Sequence, residues 1–171
     1  MNTFVVEEFE RFVLVTFYTV RKDGHDYSET DKFIERFLYN EHKEDLQNIL
    51  TLIEDIGENR GAKDLYFSRK VNEAQELPPA KLLEVRDLEI PFYDNVLRLF
   101  CVKISEGIVI LFNGGLKSSQ VTQDSPDLRM PFYEAQGFAK RIWQAIRDEI
   151  LEKNEATRTL KDGYGGDEIV L

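Results

Sequence analysis

The stretch that most constrains the fold is Val96 to Lys117, which reads VLRLFCVKISEGIVILFNGGLK. Two runs rich in β-branched and aromatic residues flank a short break at Ser105-Glu106-Gly107. This pattern predicts a β-hairpin in which Gly107 takes a positive φ. The second run, Ile108–Asn113, is apolar at successive positions, as expected for a strand that is covered on both faces. The hairpin is therefore predicted to lie at the centre of the core.

The residues before this hairpin predict one strand and two helices. Arg11–Val20 is rich in Val, Phe, Thr and Tyr and predicts the first strand, with residues 4–10 as an arm or an extension of it. Apolar residues then recur with the helical period over about 28–38 and again over about 43–56. Two short amphipathic helices with a brief connection predict an αα-hairpin.

Three strands and a last helix are predicted to follow. The strands lie at about 82–87, 96–104 and 108–113, and the helix runs from Pro131 to Glu152. The predicted fold class is α+β: an antiparallel sheet with an N-terminal strand, the αα-hairpin, three further strands and the C-terminal helix. Residues 1–153 would form a single domain. For the acidic, glycine-containing segment 154–171, a loose tail, an extra edge strand and a partner-binding segment all stay open.

Composition limits the possible partners and the compartment. The chain has 171 residues and a formal net charge of −10, so it has no overall attraction for nucleic acid or an anionic membrane. Cys101 is the single cysteine, which excludes a disulfide within the chain and favours a reducing compartment. The first residues lack a basic segment before an apolar one, and no apolar run is long enough to span a membrane. The expected location is the cytoplasm.

Most kinds of catalytic site find no support in the sequence. The two histidines, His25 and His42, have no ligand spacing with each other or with Cys101, so no metal site is predicted. The glycines match neither a phosphate loop nor a dinucleotide-binding fingerprint, and no nucleophile elbow for serine catalysis is present. No cofactor is predicted.

A group of cations in the C-terminal half is the candidate site. Arg86 ends one predicted strand, Arg98 lies on the next, and Lys117 follows the third. Arg129 and Tyr133 lie in the segment that returns over the sheet. Arginine and lysine side chains around a tyrosine can bind phosphate and stabilise the charge of its transition state. The alternative is ordinary strand-end charge, with Arg98 paired to a carboxylate such as Glu84.

The order of these elements and several local motifs resemble the RelE/ParE superfamily of bacterial toxins. Residues 82–86 (LLEVR) resemble the family's LYELR strand, and residues 97–102 (LRLFCV) resemble its YRLVY strand. Residues 108–117 (IVILFNGGLK) resemble the VVLLHGFxKK strand and its basic end. Asp124-Ser125-Pro126 and Tyr133-Glu134-Ala135 resemble the approach to the last helix.

The resemblance covers roughly residues 11–146 and implies two possible functions. RelE toxins are metal-independent mRNA endoribonucleases that act at the ribosome and are inhibited by a cognate antitoxin protein. By position, Arg98 and Lys117 would hold the scissile phosphate or act as the acid. Tyr133 would be the general base or an orienting group, and Arg86 and Arg129 would contact the substrate. ParE toxins instead act on DNA gyrase through a protein interface.

The resemblance also allows a non-catalytic protein of the same fold that acts by protein–protein binding. The acidic composition favours this second function, because proteins that bind ribosomal RNA are expected to be basic. Arg98 and Lys117 favour the first function. A homo-oligomer is compatible with either of them.

Overall fold

The predicted hairpin lies inside a six-stranded sheet of the computed structural model, which describes residues 2–67, 73–79 and 95–171. The strands are β1 (Phe4–Arg11), β2 (Thr16–Lys22), β3 (Gln75–Leu77), β4 (Leu97–Ser105), β5 (Ile108–Leu116), β6 (Leu151–Asn154), β7 (Thr159–Asp162) and β8 (Ile169–Val170). The helices are α1 (Glu29–Phe37), α2 (Lys43–Asp55) and α3 (Pro126–Arg147). A π-helical turn, Ile56–Arg60, follows α2, and 3₁₀ turns lie at Asp64–Tyr66 and Thr122–Asp124.

The strand order of the large sheet is β3-β4-β5-β2-β1-β8. The expectation of a purely antiparallel sheet is wrong at one place, because β2 and β5 are parallel. The chain leaves β2 through both helices of the first half before it returns, and a crossover of this length allows a parallel neighbour. The other pairs are antiparallel. The fold class is α+β.

The hairpin of β4 and β5 forms as predicted, but its turn differs. The side chains of Ile108 to Phe112 are at most 1% exposed, which confirms that this strand is covered on both faces. Gly107 does not have a positive φ; the positive-φ glycines among the described residues are Gly24, Gly61 and Gly165. At Gly107 the absence of a side chain instead makes room for Arg158, whose Cγ would lie 2.7 Å from an added Cβ.

Two further predictions of element bounds are corrected. The first strand does not run over residues 11–20, because β1 ends at Arg11 and β2 begins at Thr16. The turn between them carries exposed Val13 and Leu14, so β propensity there does not mark a buried strand. The last helix begins at Pro126 rather than Pro131 and ends at Arg147 rather than Glu152. Both prolines suit a first helical turn, and the chain uses the earlier one.

The segment after α3 folds back on the sheet. The expected boundary between residues 153 and 154 falls inside β6, which pairs with β7. The Leu160 N–H donates to Tyr18 Oη at 2.9 Å, which links this hairpin to β2. Further on, β8 pairs antiparallel with β1 and forms the last strand on that side of the sheet. The predicted strand at 82–87 lies outside the described residues.

Apolar cores lie on both faces of the sheet. The helices α1 and α2 cover one face, where the buried side chains include Phe17, Phe33, Phe37, Leu46, Ile49, Leu99, Cys101 and Leu111. The helix α3 and the β6–β7 hairpin cover the other, with Phe4, Phe100, Val102, Ile110, Phe112, Phe138 and Ile142. Residues alternate between these faces along β4, as the period of a strand requires. None of the helices in the described part of the chain is long and apolar enough to cross a membrane.

Polar contacts fix the start of α1 against the sheet. The Ser28 hydroxyl caps the helix by accepting from the Asp31 N–H at 3.1 Å. The buried Thr30 hydroxyl donates to the Phe112 carbonyl at 3.0 Å and lies 2.6 Å from Thr19 Oγ1. These bonds connect α1 to both β2 and β5, so the parallel strand pair and the helix above it form one unit.

Candidate functional site

Two of the predicted cations meet at a carboxylate that the sequence analysis did not single out. Lys117 Nζ lies 3.3 Å from Glu76 Oε1, and Arg98 Nε lies 4.0 Å from the same oxygen. The other oxygen, Glu76 Oε2, accepts a hydrogen bond from the Thr122 hydroxyl at 2.9 Å. We call Glu76, Arg98, Lys117 and Thr122 the Glu76 cluster.

Three neighbouring parts of the sheet bring this cluster together. Glu76 lies on β3 opposite Phe100 of β4, and Arg98 lies two residues earlier on β4. Lys117 follows β5 directly, and its N–H donates to the Val96 carbonyl at 2.7 Å, which continues the ladder past the last paired residue. Antiparallel pairing therefore places all three charged side chains near one end of the β3–β4–β5 unit.

The loop after Lys117 supplies the fourth member. Ser125 is fully buried, and its hydroxyl accepts hydrogen bonds from the backbone N–H groups of Ser118 and Ser119, both at 3.0 Å. These bonds draw the loop into a compact turn before α3. Thr122 lies within this turn, so its position beside Glu76 is fixed by backbone contacts on both sides.

The guanidinium of Arg98 is held from one side and keeps one free donor. Its Nη1 donates to the carbonyls of Asn95 at 2.6 Å and Leu97 at 2.8 Å. Its Nε is buried and has no hydrogen-bond partner among the described residues. A buried donor without a partner costs free energy, and a catalytic role is one of the reasons for which native proteins keep such a group.

Burial and charge act on Arg98 in opposite directions. Burial lowers the pKa of Arg98, while the carboxylates of Glu76 and Asp45 oppose that shift. Arginine remains protonated at physiological pH even so. The side chains of Arg98, Lys117 and Glu76 are 13%, 15% and 18% exposed, so the charges act in a partly desolvated setting where each interaction is stronger than in water. Among the described residues, the two cations of the cluster thus face Glu76 directly, and Asp45 adds a second carboxylate that acts on Arg98.

The remaining predicted site residues lie elsewhere or outside the described part of the chain. Tyr133 is 74% exposed on α3 and lines a cavity beside β1 and β2, to which neither Arg98 nor Lys117 contributes. Arg129 is exposed on the first turns of α3. Arg86 and the alternative partner Glu84 fall outside the described residues. The structure thus brings together Arg98 and Lys117 and does not place Tyr133 with them.

Glu76 and Thr122 are the members that sequence reasoning missed. β3 has three residues, Gln75-Glu76-Leu77, and directly precedes Pro78-Pro79. So short a run carries little periodicity, and the prolines suggest a loop rather than a strand. The sequence does contain a carboxylate at residue 76 and two cations on or just after later strands. Recognising that these three side chains meet requires the strand order.

Asp127 on α3 stabilises the end of β5 next to the Glu76 cluster. Its Oδ2 accepts from the Leu116 N–H at 2.7 Å, and its Oδ1 lies 2.8 Å from Arg36 Nη2 of α1. Burial would raise the pKa of the Asp127 carboxyl, but the hydrogen bonds from Arg36 and Leu116 outweigh it and lower the pKa below its usual value. One carboxylate therefore links α1, β5 and α3.

Replacing Asp127 with asparagine is expected to destabilise the protein by about 1 kcal/mol at neutral pH, because charge-assisted hydrogen bonds are lost and solvent screens part of the effect. A carboxyl whose folded pKa lies below the unfolded value of about 3.9 stabilises above that pH, and the contribution is lost as the pH falls through the folded pKa. Urea unfolding of both proteins at several pH values should show the difference shrinking in acid. A constant difference would contradict the role of the ionised carboxylate.

In the described residues, no group of three or more His, Cys, Asp or Glu side chains is arranged to hold a metal ion. The Glu76 cluster offers a carboxylate, an ammonium, a guanidinium and a hydroxyl for binding and proton transfer. Comparison with known proteins adds no relative, because no protein-family model, no curated protein and no solved structure matches the chain.

Proposed function

We propose that the chain is a RelE-like toxin that cleaves mRNA at the ribosome without a metal ion, and that the Glu76 cluster is its catalytic site. The observation that carries the proposal is the convergence of Arg98 and Lys117 on one carboxylate, with a buried Arg98 N–H that has no partner in the described part of the chain. A phosphodiester offers an oxygen to the Arg98 N–H, and a second oxygen to the Lys117 ammonium, which donates to Glu76 at 3.3 Å. The order of elements, with two helices before β3, β4 and β5 and a helix after them, supports the resemblance.

The cluster contains the groups needed for each proton transfer. The RNA 2′-oxygen attacks the adjacent phosphorus while its proton moves to the Glu76 carboxylate. The bond from phosphorus to the 5′-oxygen breaks, and the leaving oxygen takes a proton from the Lys117 ammonium. Arg98 stabilises the charge on the phosphate oxygens. The products are a 2′,3′-cyclic phosphate and a 5′-hydroxyl, and a proton passing from Glu76 to Lys117 over 3.3 Å restores both groups.

This proposal changes the role of Tyr133. The resemblance assigned it as the general base or an orienting group. Because Tyr133 lines the cavity beside β1 and β2, Glu76 is the base that lies within reach of both cations. The partners proposed for the chain are the ribosome with its mRNA and a cognate antitoxin protein that inhibits the toxin. The proposed location is the cytoplasm, where these partners are found.

A second candidate function is protein binding without catalysis. It is favoured by Glu76 itself, since this carboxylate already neutralises part of the charge that a phosphate would need, and by the net charge of −10. In that case the Glu76 cluster is a structural ion-pair network, and the chain acts through a protein interface.

The experiment is RNA cleavage by purified protein on programmed ribosomes. We expect cleavage that leaves 2′,3′-cyclic-phosphate and 5′-hydroxyl ends, as attack by the 2′-oxygen requires. Arg98→Ala and Lys117→Ala should each lower the rate by a factor of about 10² or more, as the loss of a donor to transition-state charge does in other enzymes.

Lys103→Ala is the matched control. Lys103 lies on β4 like Arg98, its side chain is also 13% exposed, and its ammonium pairs with Asp64 at 2.6 Å, away from the Glu76 cluster. This variant should cleave like wild type. If wild type does not cleave RNA and does not arrest growth when expressed, the toxin proposal is wrong and protein binding stands. If cleavage survives both site substitutions, the assignment of the site is wrong.

A further inference from the structure

A cavity of about 580 Å³ lies between α3 and the adjoining ends of β1 and β2. This volume is within the range of sites that bind small molecules. The cavity does not include the Glu76 cluster, and neither the proposed cleavage reaction nor a structural role accounts for it.

Packed aromatic rings line part of this cavity. Phe4 is 1% exposed and packs edge-on against Phe138, with ring centroids 4.9 Å apart. The guanidinium of Arg141 lies 4.8 Å from the Phe4 ring centroid, and its Nη1 donates to the Asn2 carbonyl at 2.9 Å, which holds the start of β1 in place. The Tyr133 ring stands at the rim, largely exposed. These aromatic rings would contact an apolar part of a ligand.

Part of the polar lining is already engaged in a chain of alternating charges. Lys22 pairs with Glu134 of α3 and lies 3.8 Å from Glu29, whose side chain is 4% exposed. Glu29 also pairs with Lys32 at 2.7 Å, and Lys32 Nζ lies 2.7 Å from His25 Nδ1. The charges of Lys22 and Glu134 are thus paired within the protein, and the His25 ring is held by Lys32, so these side chains shape the wall of the cavity.

Two charged groups on the lining are not engaged. The carboxylate of Asp23, just after β2, and the ammonium of Lys140 on α3 have no ion pair or hydrogen bond among the described residues. They stand on different elements that face the same cavity. Both residues are exposed, so solvent reaches them in the free protein, and a ligand that contacts both would carry a cationic and an anionic group.

A glycine inside α3 is part of the cavity lining. Gly137 lies in the middle of a 22-residue helix, where glycine is less favourable than alanine by about 1 kcal/mol. It is also a lining residue, between Tyr133 and Lys140 on the same side of the helix. Because Gly137 lines the cavity, a large side chain at this position is expected to reduce the space for a ligand.

We propose that this cavity binds a small zwitterion with an apolar side chain, of the chemical class of an aromatic amino acid. Its anionic group would pair with Lys140 and its cationic group with Asp23. Its apolar part would lie against Phe4, Phe138 and Tyr133. This site is independent of the proposed ribonuclease and would remain if that proposal failed.

The test uses L-phenylalanine as the probe, with phenethylamine and hydrocinnamate as analogues that each lack one charge. Calorimetric titration of the full chain should give one site for L-phenylalanine and binding at least about tenfold weaker for either analogue, the effect of one lost charge-assisted interaction. Lys140→Ala should weaken L-phenylalanine but not phenethylamine, and Asp23→Asn should weaken L-phenylalanine but not hydrocinnamate. Gly137→Leu, checked for folding by circular dichroism, should abolish binding.

Lys153→Ala is the control, because this lysine lies on β6, pairs with Glu155 and does not line the cavity. It should bind L-phenylalanine like wild type. Absence of saturable L-phenylalanine binding overturns the proposal, as does equal affinity for the three probes. Unchanged binding by folded Gly137→Leu would place any site elsewhere and also overturn it. If Gly137→Leu does not fold, the selective effects of Lys140→Ala and Asp23→Asn decide the question.

Discussion

Replacing Gly114 with alanine is expected to lower the free energy of unfolding by about 3 kcal/mol, the upper part of the usual range for overpacking. A Cβ atom at this position would overlap the carbonyl oxygen of Arg98 and lie 2.9 Å from Leu99 Cα. Both obstacles belong to the backbone of β4, so no side-chain rotation relieves them. Urea denaturation followed by circular dichroism would measure the loss.

The register of the hairpin explains why the strands come so close. Leu99 lies opposite Gly114 and Cys101 lies opposite Leu111, so β5 carries an extra residue between these pairs. Such a bulge bends the strand locally, and a glycine allows the close approach that follows. The same bend sets the direction in which the chain leaves β5 at Lys117. Gly114 is therefore required for the geometry of the Glu76 cluster as well as for stability.

Gly107→Ala is the graded control for this prediction. Its added Cβ would meet the Arg158 side chain, with Cγ at 2.7 Å, and a side chain can shift where a backbone cannot. Gly107 and Gly114 both lie on the β4–β5 hairpin, and neither has a positive φ. The Gly107 variant should therefore lose clearly less stability. Equal losses, or a Gly114 variant as stable as wild type, would contradict the close-approach argument.

Under the proposed ribonuclease function, Glu76→Gln is expected to lower the rate of RNA cleavage by a factor of about 10² to 10⁴, the usual contribution of a general base. Glutamine has nearly the same shape and can still accept from Thr122, but it cannot take the proton of the 2′-hydroxyl. Single-turnover cleavage on programmed ribosomes would measure the rate, and urea unfolding would check that the variant is folded.

The same variant separates a base from a simple counter-ion. If Glu76 only neutralises Arg98 and Lys117, its removal should free both cations, and the variant should bind RNA more tightly and cleave at least as fast as wild type. A rate equal to or above that of wild type therefore overturns the base assignment. Thr122→Val provides the matched comparison, since it removes one hydrogen bond to the carboxylate and should cost less than the loss of the base.

The hairpin at residues 96–117 could be predicted because residues 108–112 form an unbroken apolar run, which favours a strand covered on both faces. The α1 and α2 helices could also be predicted, since their apolar periods and the Ser28 cap are local signals. The bounds of β1 and β2 could not be predicted. Val13 and Leu14 have the propensity of strand residues, but they occupy an exposed turn, and exposure is decided by the tertiary structure.

The end of α3 was missed for a similar reason. Ile146 and Ile150 continue the helical period, yet the helix ends at Arg147 and Glu149 takes a positive φ of 58°. Leu151 is 1% exposed, so burying it on the sheet outweighs another helical turn. Local periodicity cannot show this competition between a helix and a tertiary contact.

Within the candidate site, the positions of Arg98 and Lys117 on adjacent strands followed from the hairpin alone. Glu76 did not, because its contribution depends on a three-residue strand whose partner lies more than twenty residues later in the chain. The separation of Tyr133 from the cations could not be predicted from the sequence either. Phe132 contacts Phe100 with ring centroids 5.6 Å apart, while its neighbour Tyr133 lines the cavity beside β1, and only the orientation of α3 decides which residue faces which side.

The pairing of β8 with β1 has a mechanical consequence. Phe4 and Leu171 exchange backbone hydrogen bonds of 2.8 and 2.9 Å, so these two residues leave the sheet side by side at the same edge. Tension applied between residues 4 and 171 would load these bonds one pair at a time, starting at Phe4–Leu171 and moving to Val5–Val170 and Val6–Ile169. The parallel β2–β5 pair in the middle of the sheet would bear no load until this edge had opened.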